Sequence, residues 1–138
     1  MIAVDTNVLV YAVDQLDPVR HAKAVQLLGQ LRTSGQTLLL WQVAAELLAK
    51  LRQWEHTNRI TTHVVEGYVK HFLAMFPLTF PTERVLQQSI ELSRKYSLSH
   101  WDAMVLSACL DAGVDTLHSE DLTHGAVYET VTVLNPFV

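Results

Sequence analysis

Glycine is scarce, and its placement rules out two large classes of phosphate-handling protein. The five glycines stand singly at 29, 35, 67, 113 and 125. Neither G-x-G-x-x-G nor G-x-x-x-x-G-K-[ST] can be written anywhere in the chain, so dinucleotide and P-loop binding lose their usual cradle. Cysteine is scarcer still. Cys109 is the only one, which excludes an internal disulfide and a thiolate metal cluster; inside the apolar stretch AMVLSACL it reads as a small buried hydrophobe. Long hydrophobic runs are missing too, since nothing approaches the ~20 apolar residues that span a bilayer. The opening MIAVDTNVLVYAVDQ lacks a basic leader and meets an acid at Asp5. The expected protein is soluble and cytoplasmic, with no membrane partner. Positive charge is also in short supply: ten Lys and Arg against fourteen Asp and Glu leave a net charge of −4. Phosphate neutralisation alone therefore cannot be how this chain would hold a nucleic acid, and such chemistry would need metal ions or a local basic surface.

What is present is apolar patterning. With 138 residues, 49% of them hydrophobic, the chain can bury a continuous core as one domain spanning residues 1–138. Short apolar runs at Ile2–Val4, Thr37–Trp41, Pro77–Phe80, Val114–His118 and Thr130–Leu134 read as strands. Longer helical patterns fill the gaps. Asp17-Pro18 is a cap followed by proline at the first helical position, and Ser34-Gly35 stops that helix. Val43, Leu47, Leu51 and Trp54 form an apolar stripe after the second strand, and Val65, Tyr68, Val69, Phe72 and Phe76 another before the third. Thr82 is expected to cap a helix carrying Val85, Leu86, Ile90 and Leu92, and Ser99 and Gly113 bracket the last one. Strands separated by helices imply parallel pairing by right-handed crossovers with helices on both faces, an α/β class three-layer α/β/α sandwich.

In such sheets chemistry gathers at the carboxyl ends of the strands. Asp5 follows the first strand directly, and Asp121 lies just beyond the fourth. Glu46 sits in the first turns of the helix leaving the second strand, and Asp102 in the first turn of the helix that leads to the fourth. Four acids far apart in sequence are thus expected at one rim. Each has an ordinary explanation: Asp102 as the acid of a capping box with Ser99, Glu46 as the partner of Lys50 one helical turn on, and Asp121 as an Asx-turn in its loop. Asp5 is harder to dismiss, because a carboxylate ending a central apolar strand needs a partner. Several carboxylates in one pocket raise one another's pKa values unless a cation offsets them. Oxygen-only ligands suit Mg²⁺ or Mn²⁺, and such an ion supports phosphodiester hydrolysis.

These residues resemble the PIN-domain family. Asp5-Thr6-Asn7-Val8-Leu9-Val10-Tyr11-Ala12 is similar to its opening motif, and Ala44-Ala45-Glu46-Leu47-Leu48 to its second. His100-Trp101-Asp102-Ala103 with Ser107-Ala108 resembles the third, Ser119-Glu120-Asp121-Leu122 the fourth, and Val-Leu-Asn-Pro-Phe at the end the closing strand. The resemblance covers the chain in order. It implies a parallel five-stranded sheet and a magnesium- or manganese-dependent endoribonuclease. For a short chain it further implies the VapC-like toxin of a type II pair, neutralised by an antitoxin and assembled as a homodimer. Asp5, Glu46, Asp102 and Asp121 match the family acids, with Asp5 and Asp102 holding metal directly and Asp121 and Glu46 completing its shell. Thr6 and Ser119 match supporting hydroxyls, and Asn7 an asparagine that steadies the first loop. Glu120 beside Asp121 departs from the simple fourth motif and leaves open which acid faces the metal.

Two other readings compete. A non-catalytic module could keep the PIN scaffold and bind RNA or protein, although a degenerate member has no reason to retain all four acids. A phosphatase using Asp5 as phospho-acceptor would need a second aspartate two positions on, where Asn7 stands. Of the histidines, His21, His56, His63 and His71 read as surface or packing residues, whereas His100, His118 and His124 fall near the rim. Trp41 and Trp101 read as core or rim packing.

Overall fold

The computed structural model describes residues 1–138. In chain order the elements are β1 (Ile2–Val4), α1 (Thr6–Val13), α2 (Pro18–Ser34), β2 (Thr37–Leu40), α3 (Trp41–His56), α4 (Thr62–Met75), β3 (Leu78–Thr79), α5 (Glu83–Tyr96), α6 (His100–Asp111), β4 (Thr116–His118), β5 (Val127–Tyr128) and β6 (Val131–Leu134). The sheet runs β3-β2-β1-β4-β6-β5. Every pairing is parallel except that of β5 with β6. Adjacent Ala3 and Val4 point to opposite faces of β1 yet are both fully buried, so helices cover the sheet on both sides. From β1 the chain steps outward through β2 to β3, then returns to β1's other edge with β4. That reversal is the topological switch point, and it opens a crevice between the carboxyl ends of β1 and β4.

Local chemistry explains most boundaries. Asp17 accepts the Arg20 N–H at 3.1 Å to cap α2, with Pro18 at its first position, and Gly35 ends it in the left-handed region at φ 69°. Ser99 caps α6 by accepting the Asp102 N–H at 3.3 Å. The stripe Val43, Leu47, Leu51 and Trp54 is buried as the pattern implied, within a core that also takes in Leu39, Phe72, Leu106 and Leu117. Cys109 is buried in that core, where desolvation pushes its thiol pKa up.

Four expectations need correction. The sheet has six strands, the extra one being β5, which forms an antiparallel hairpin with β6 through Glu129-Thr130, with φ 57° at Glu129. Residues 6–13 form helix α1, not a loop; the cap at Asp5 and the burial of Val8 and Leu9 outweigh the weak helix preference of its valines. Thr82 stands at the N-cap of α5 as expected, but its hydroxyl makes no capping bond and instead donates to Asp111. On α5 the buried face is Val85, Ser89 and Leu92, spaced at helical period, whereas Leu86 and Ile90 are exposed.

Candidate active site

The β1–β4 ladder continues one step past both strands: the Asp5 N–H donates to the His118 carbonyl at 2.8 Å. This registers Asp5 beside Ser119. Asp5 is 5% exposed and both its oxygens are engaged. Oδ1 accepts the Thr6 N–H at 2.8 Å, capping α1, and Oδ2 accepts the Ser119 hydroxyl at 2.7 Å. The same Ser119 oxygen accepts the Asp121 N–H at 3.1 Å, which turns the loop after β4 back over the rim. Asn7, in the first turn of α1, donates its amide to Asp121 Oδ2 at 3.1 Å and accepts the Glu120 N–H at 3.3 Å. Residues that start α1 therefore set both ends of the site.

Glu46 arrives from α3. Its Oε2 accepts the Thr6 hydroxyl at 3.0 Å and its Oε1 accepts the Gln42 amide at 2.8 Å. The Gln42 amide nitrogen also reaches the Trp101 carbonyl at 3.3 Å, tying α3 to the start of α6, where Asp102 stands. All four predicted acids are thus gathered at the carboxyl rim: Thr6 bonds Asp5 and Glu46, Ser119 bonds Asp5 and Asp121, and Asn7 bonds Asp121.

The ordinary explanations fare poorly. Glu46 makes no ion pair with Lys50, and the Asp121 carboxylate is bonded across the fold to Asn7 instead of to its own loop. Asp102 forms half of a capping box, through its N–H. None of the four carboxylates has a Lys, Arg or His within ion-pair distance.

The electrostatic result is a site short of positive charge. Burial pushes the Asp5 carboxyl up to about 6, opposed by the bonds from Ser119 and Thr6 and helped by the charges of Asp121 and Glu46. Asp121 is raised as well, first by burial and then by Asp102, Glu120 and Glu46, against the pull of its Asn7 bond. The donors are all oxygens, the set that suits a hard divalent cation. As they are placed, no three acids, histidines or cysteines stand close enough together to hold a metal ion among them. Glu120 turns away to Tyr11 and Arg20, so Asp121 is the member of the pair that belongs to the rim.

Sequence reasoning missed Gln42, Tyr11 and Arg20; only the four-residue spacing of Gln42 before Glu46 hinted at any of them. It also underrated exposure at two aromatics. Trp41 and Trp101 are 47% and 61% exposed. Trp41 stacks on Phe80 with centroids 5.3 Å apart, and both tryptophans wall an apolar cavity of about 490 Å³ that reaches Glu46. His100 packs edge-on to Trp101. His118, whose imidazole pKa is lowered by burial, and His124 line a different cavity, against α2.

Comparison with known proteins agrees with this architecture. Among solved structures, the chain superposes on a toxin–antitoxin complex from Klebsiella pneumoniae with a TM-score of 0.66 at 16% identity, over 99% of this chain and 98% of that one. VapBC2 from Rickettsia felis, bound to a promoter DNA fragment, gives a TM-score of 0.71 at 16% identity over 96% and 97%. VapC20 from Mycobacterium tuberculosis, a sarcin-ricin loop cleaving toxin, gives 0.65 at 17% over 88% and 90%. At such low identity these likenesses concern the fold. No curated protein matches the sequence. The family model for the PIN domain matches residues 2–129, nearly the whole chain and all four acids, and the chain belongs to the PIN-domain family.

Proposed function

We propose that this protein is a Mg²⁺- or Mn²⁺-dependent endoribonuclease and the toxin of a VapBC-type pair. The observation that carries this reading is the rim itself: Asp5, Glu46, Asp102 and Asp121 share one crevice with no cation beside them. Uncompensated carboxylates raise one another's proton affinity, and a divalent ion is the partner that lets them stay ionised together. Asp5 and Asp102 are assigned to hold the ion directly, with Asp121 and Glu46 completing its shell through oxygen or water. Once bound, such an ion lowers the pKa of water and offsets charge developing on a phosphodiester. The protein's own part is orientation: Ser119 fixes Asp5, Thr6 and Gln42 fix Glu46, and Asn7 fixes Asp121.

The toxin assignment draws on the two VapBC-named neighbours and the toxin–antitoxin complex of like fold. An antitoxin Arg or Lys entering the rim would compete with the cation for the same carboxylates. Self-association as a homodimer belongs to the same reading, with the exposed Trp41, Phe80 and Trp101 as the face to cover.

The test is cleavage of single-stranded RNA by purified protein with Mn²⁺, with chelator, and with Asp5→Asn. Cleavage should need the ion and vanish in the variant. Calorimetric Mn²⁺ affinity should fall as pH drops through about 6, where Asp5 takes up its proton. Equal cleavage by wild type and a folded Asp5→Asn protein would assign the activity elsewhere, and saturable RNA binding with no cleavage would favour the non-catalytic module.

A further inference from the structure

We propose that Arg20 and Tyr11 are positioning residues of this site: they hold the Glu120 carboxylate off the rim and so fix the loop that presents Asp121. The proposal rests on the nuclease reading above and adds to it residues from outside the acid set.

Ser119, Glu120 and Asp121 follow a strand of only three residues and belong to no helix or strand, so their placement depends on side chains. Glu120 is tied at three points. Its Oε1 accepts the Tyr11 hydroxyl at 3.1 Å, its Oε2 accepts Arg20 Nε at 2.8 Å, and its N–H donates to Asn7 Oδ1 at 3.3 Å. Asn7 then donates to Asp121. Glu120 and Asp121 lie in a bend closed by the Asp121 N–H on the Ser119 hydroxyl, and Asn7 bonds both of them; anchoring Glu120 toward α2 therefore fixes the bend that presents Asp121 to the crevice.

The anchor is itself held. Arg20 Nη1 donates to Asp17 Oδ2 at 3.0 Å, and the guanidinium lies 5.6 Å and 6.0 Å from the ring centroids of Tyr11 and Phe137. Those two rings meet edge to face at 5.1 Å. One planar group thus addresses two carboxylates from two nitrogens, a geometry that the single ammonium of a lysine cannot reproduce. If released, Glu120 would be a free carboxylate next to Asp121, adding charge where there is already an excess and offering a rival ligand.

The Arg20–Glu120 pair is part-exposed, with side chains 44% and 25% accessible, and such pairs add little to global stability. Loss of the anchor should therefore appear in the site and not in the melting temperature. For single-stranded RNA with Mn²⁺, Arg20→Ala should lower kcat about tenfold to a hundredfold, the cost of a misplaced group, with KM unchanged. Arg20→Lys should recover part of it. In a Glu120→Ala background, Arg20→Ala should cause no further loss, because the arginine acts only through Glu120. In hydrogen exchange, the Glu120 and Asp121 amides of Arg20→Ala should exchange about tenfold faster while those of α6 do not change.

A loss in KM that persists in the Glu120→Ala background would make Arg20 a direct RNA contact and overturn the proposal. Unchanged exchange at Glu120 and Asp121 would also overturn it. The exchange measurement needs no substrate. If wild type cleaves no better than Asp5→Asn the nuclease reading fails by itself, and the anchor is still decided.

Discussion

The acids of this chain form two populations. On the outer surface Asp14 pairs with Arg59, Asp17 with Arg20 and Glu129 with Lys95. Asp17 is held below its ordinary carboxyl range by the Arg20 N–H and then its guanidinium, and Glu129 by the bond from Lys95. At the rim the same residue types stand without a cation, and Asp5 and Asp121 are shifted upward, burial being the largest cause in both. The contrast separates work from support. Paired acids tolerate their surroundings, whereas the rim keeps charge that the fold does not neutralise, which is the condition for binding something that does.

The sharpest way to break this contrast is Asp5→Asn. The amide nearly matches the carboxylate in shape, so the variant should stay folded while RNA cleavage with Mn²⁺ falls at least about a hundredfold. Growth arrest on expression should vanish with it, and co-expressed antitoxin should relieve the arrest caused by wild type. Arrest by both proteins alike would detach toxicity from the rim.

Next comes stability against pH, followed by urea unfolding without metal. Asp5 binds its proton more tightly folded, near 6, than unfolded, near 3.8, so its contribution is present at low pH and lost as pH rises through about 6. The fold should gain up to about 3 kcal/mol from this group between pH 8 and pH 4. The surface acids have the opposite sign: their stabilisation is present above the ordinary carboxyl range and disappears on further acidification. Stability should therefore peak on the acid side of neutrality, and Asp5→Asn should flatten its alkaline limb. A wild-type curve that falls steadily from pH 8 to pH 5 would show that Asp5 is not the dominant group.

Smaller effects should follow within the fourth motif and at the surface. Glu120→Gln keeps one acceptor oxygen, enough for the Arg20 bond but not for both donors, whereas Asp121→Asn removes charge from the rim, so the first should retain about tenfold more cleavage activity than the second. The reverse order would move the fourth acid to Glu120. At the surface, Arg59→Met, which removes the pair to Asp14 and the stacking over Trp54 at 4.1 Å, should cost about 1 kcal/mol or less in urea unfolding and leave cleavage unchanged.

Much of this was legible in the sequence, for identifiable reasons. The strands before Asp5 and Asp121 are short apolar runs, and parallel topology alone sends their carboxyl ends to one side. α1 was hidden because Asn7-Val8-Leu9-Val10 lacks helix-forming composition; its helicity comes from the Asp5 cap and from burial. β5 was hidden because its turn, Glu129-Thr130, carries none of the usual glycine or asparagine signal. Arg20, Tyr11 and Gln42 were out of reach because their roles depend on partners distant in sequence or on the rim itself: Glu120 is 100 positions from Arg20 and 109 from Tyr11. Leu86, Ile90, Trp41 and Trp101 show the limit of hydrophobicity as a guide, since an apolar residue outside the buried face of its helix lies on the surface whatever its chemistry.

Asp5 is the single residue between β1 and α1, and β2 runs into α3 with none, Leu40 being both strand end and helix cap. A carboxylate in that position has no hinge. Withdrawing it would mean unwinding the first turn of a helix and parting it from the Ser119 hydroxyl, a local unfolding event and not a loop swing. Asp5 and Glu46 are in this sense fixed in place by the elements that carry them. If the rim works as proposed, restraint would have to come from outside the chain, by occupation of the crevice, because these two acids have no local motion by which to withdraw.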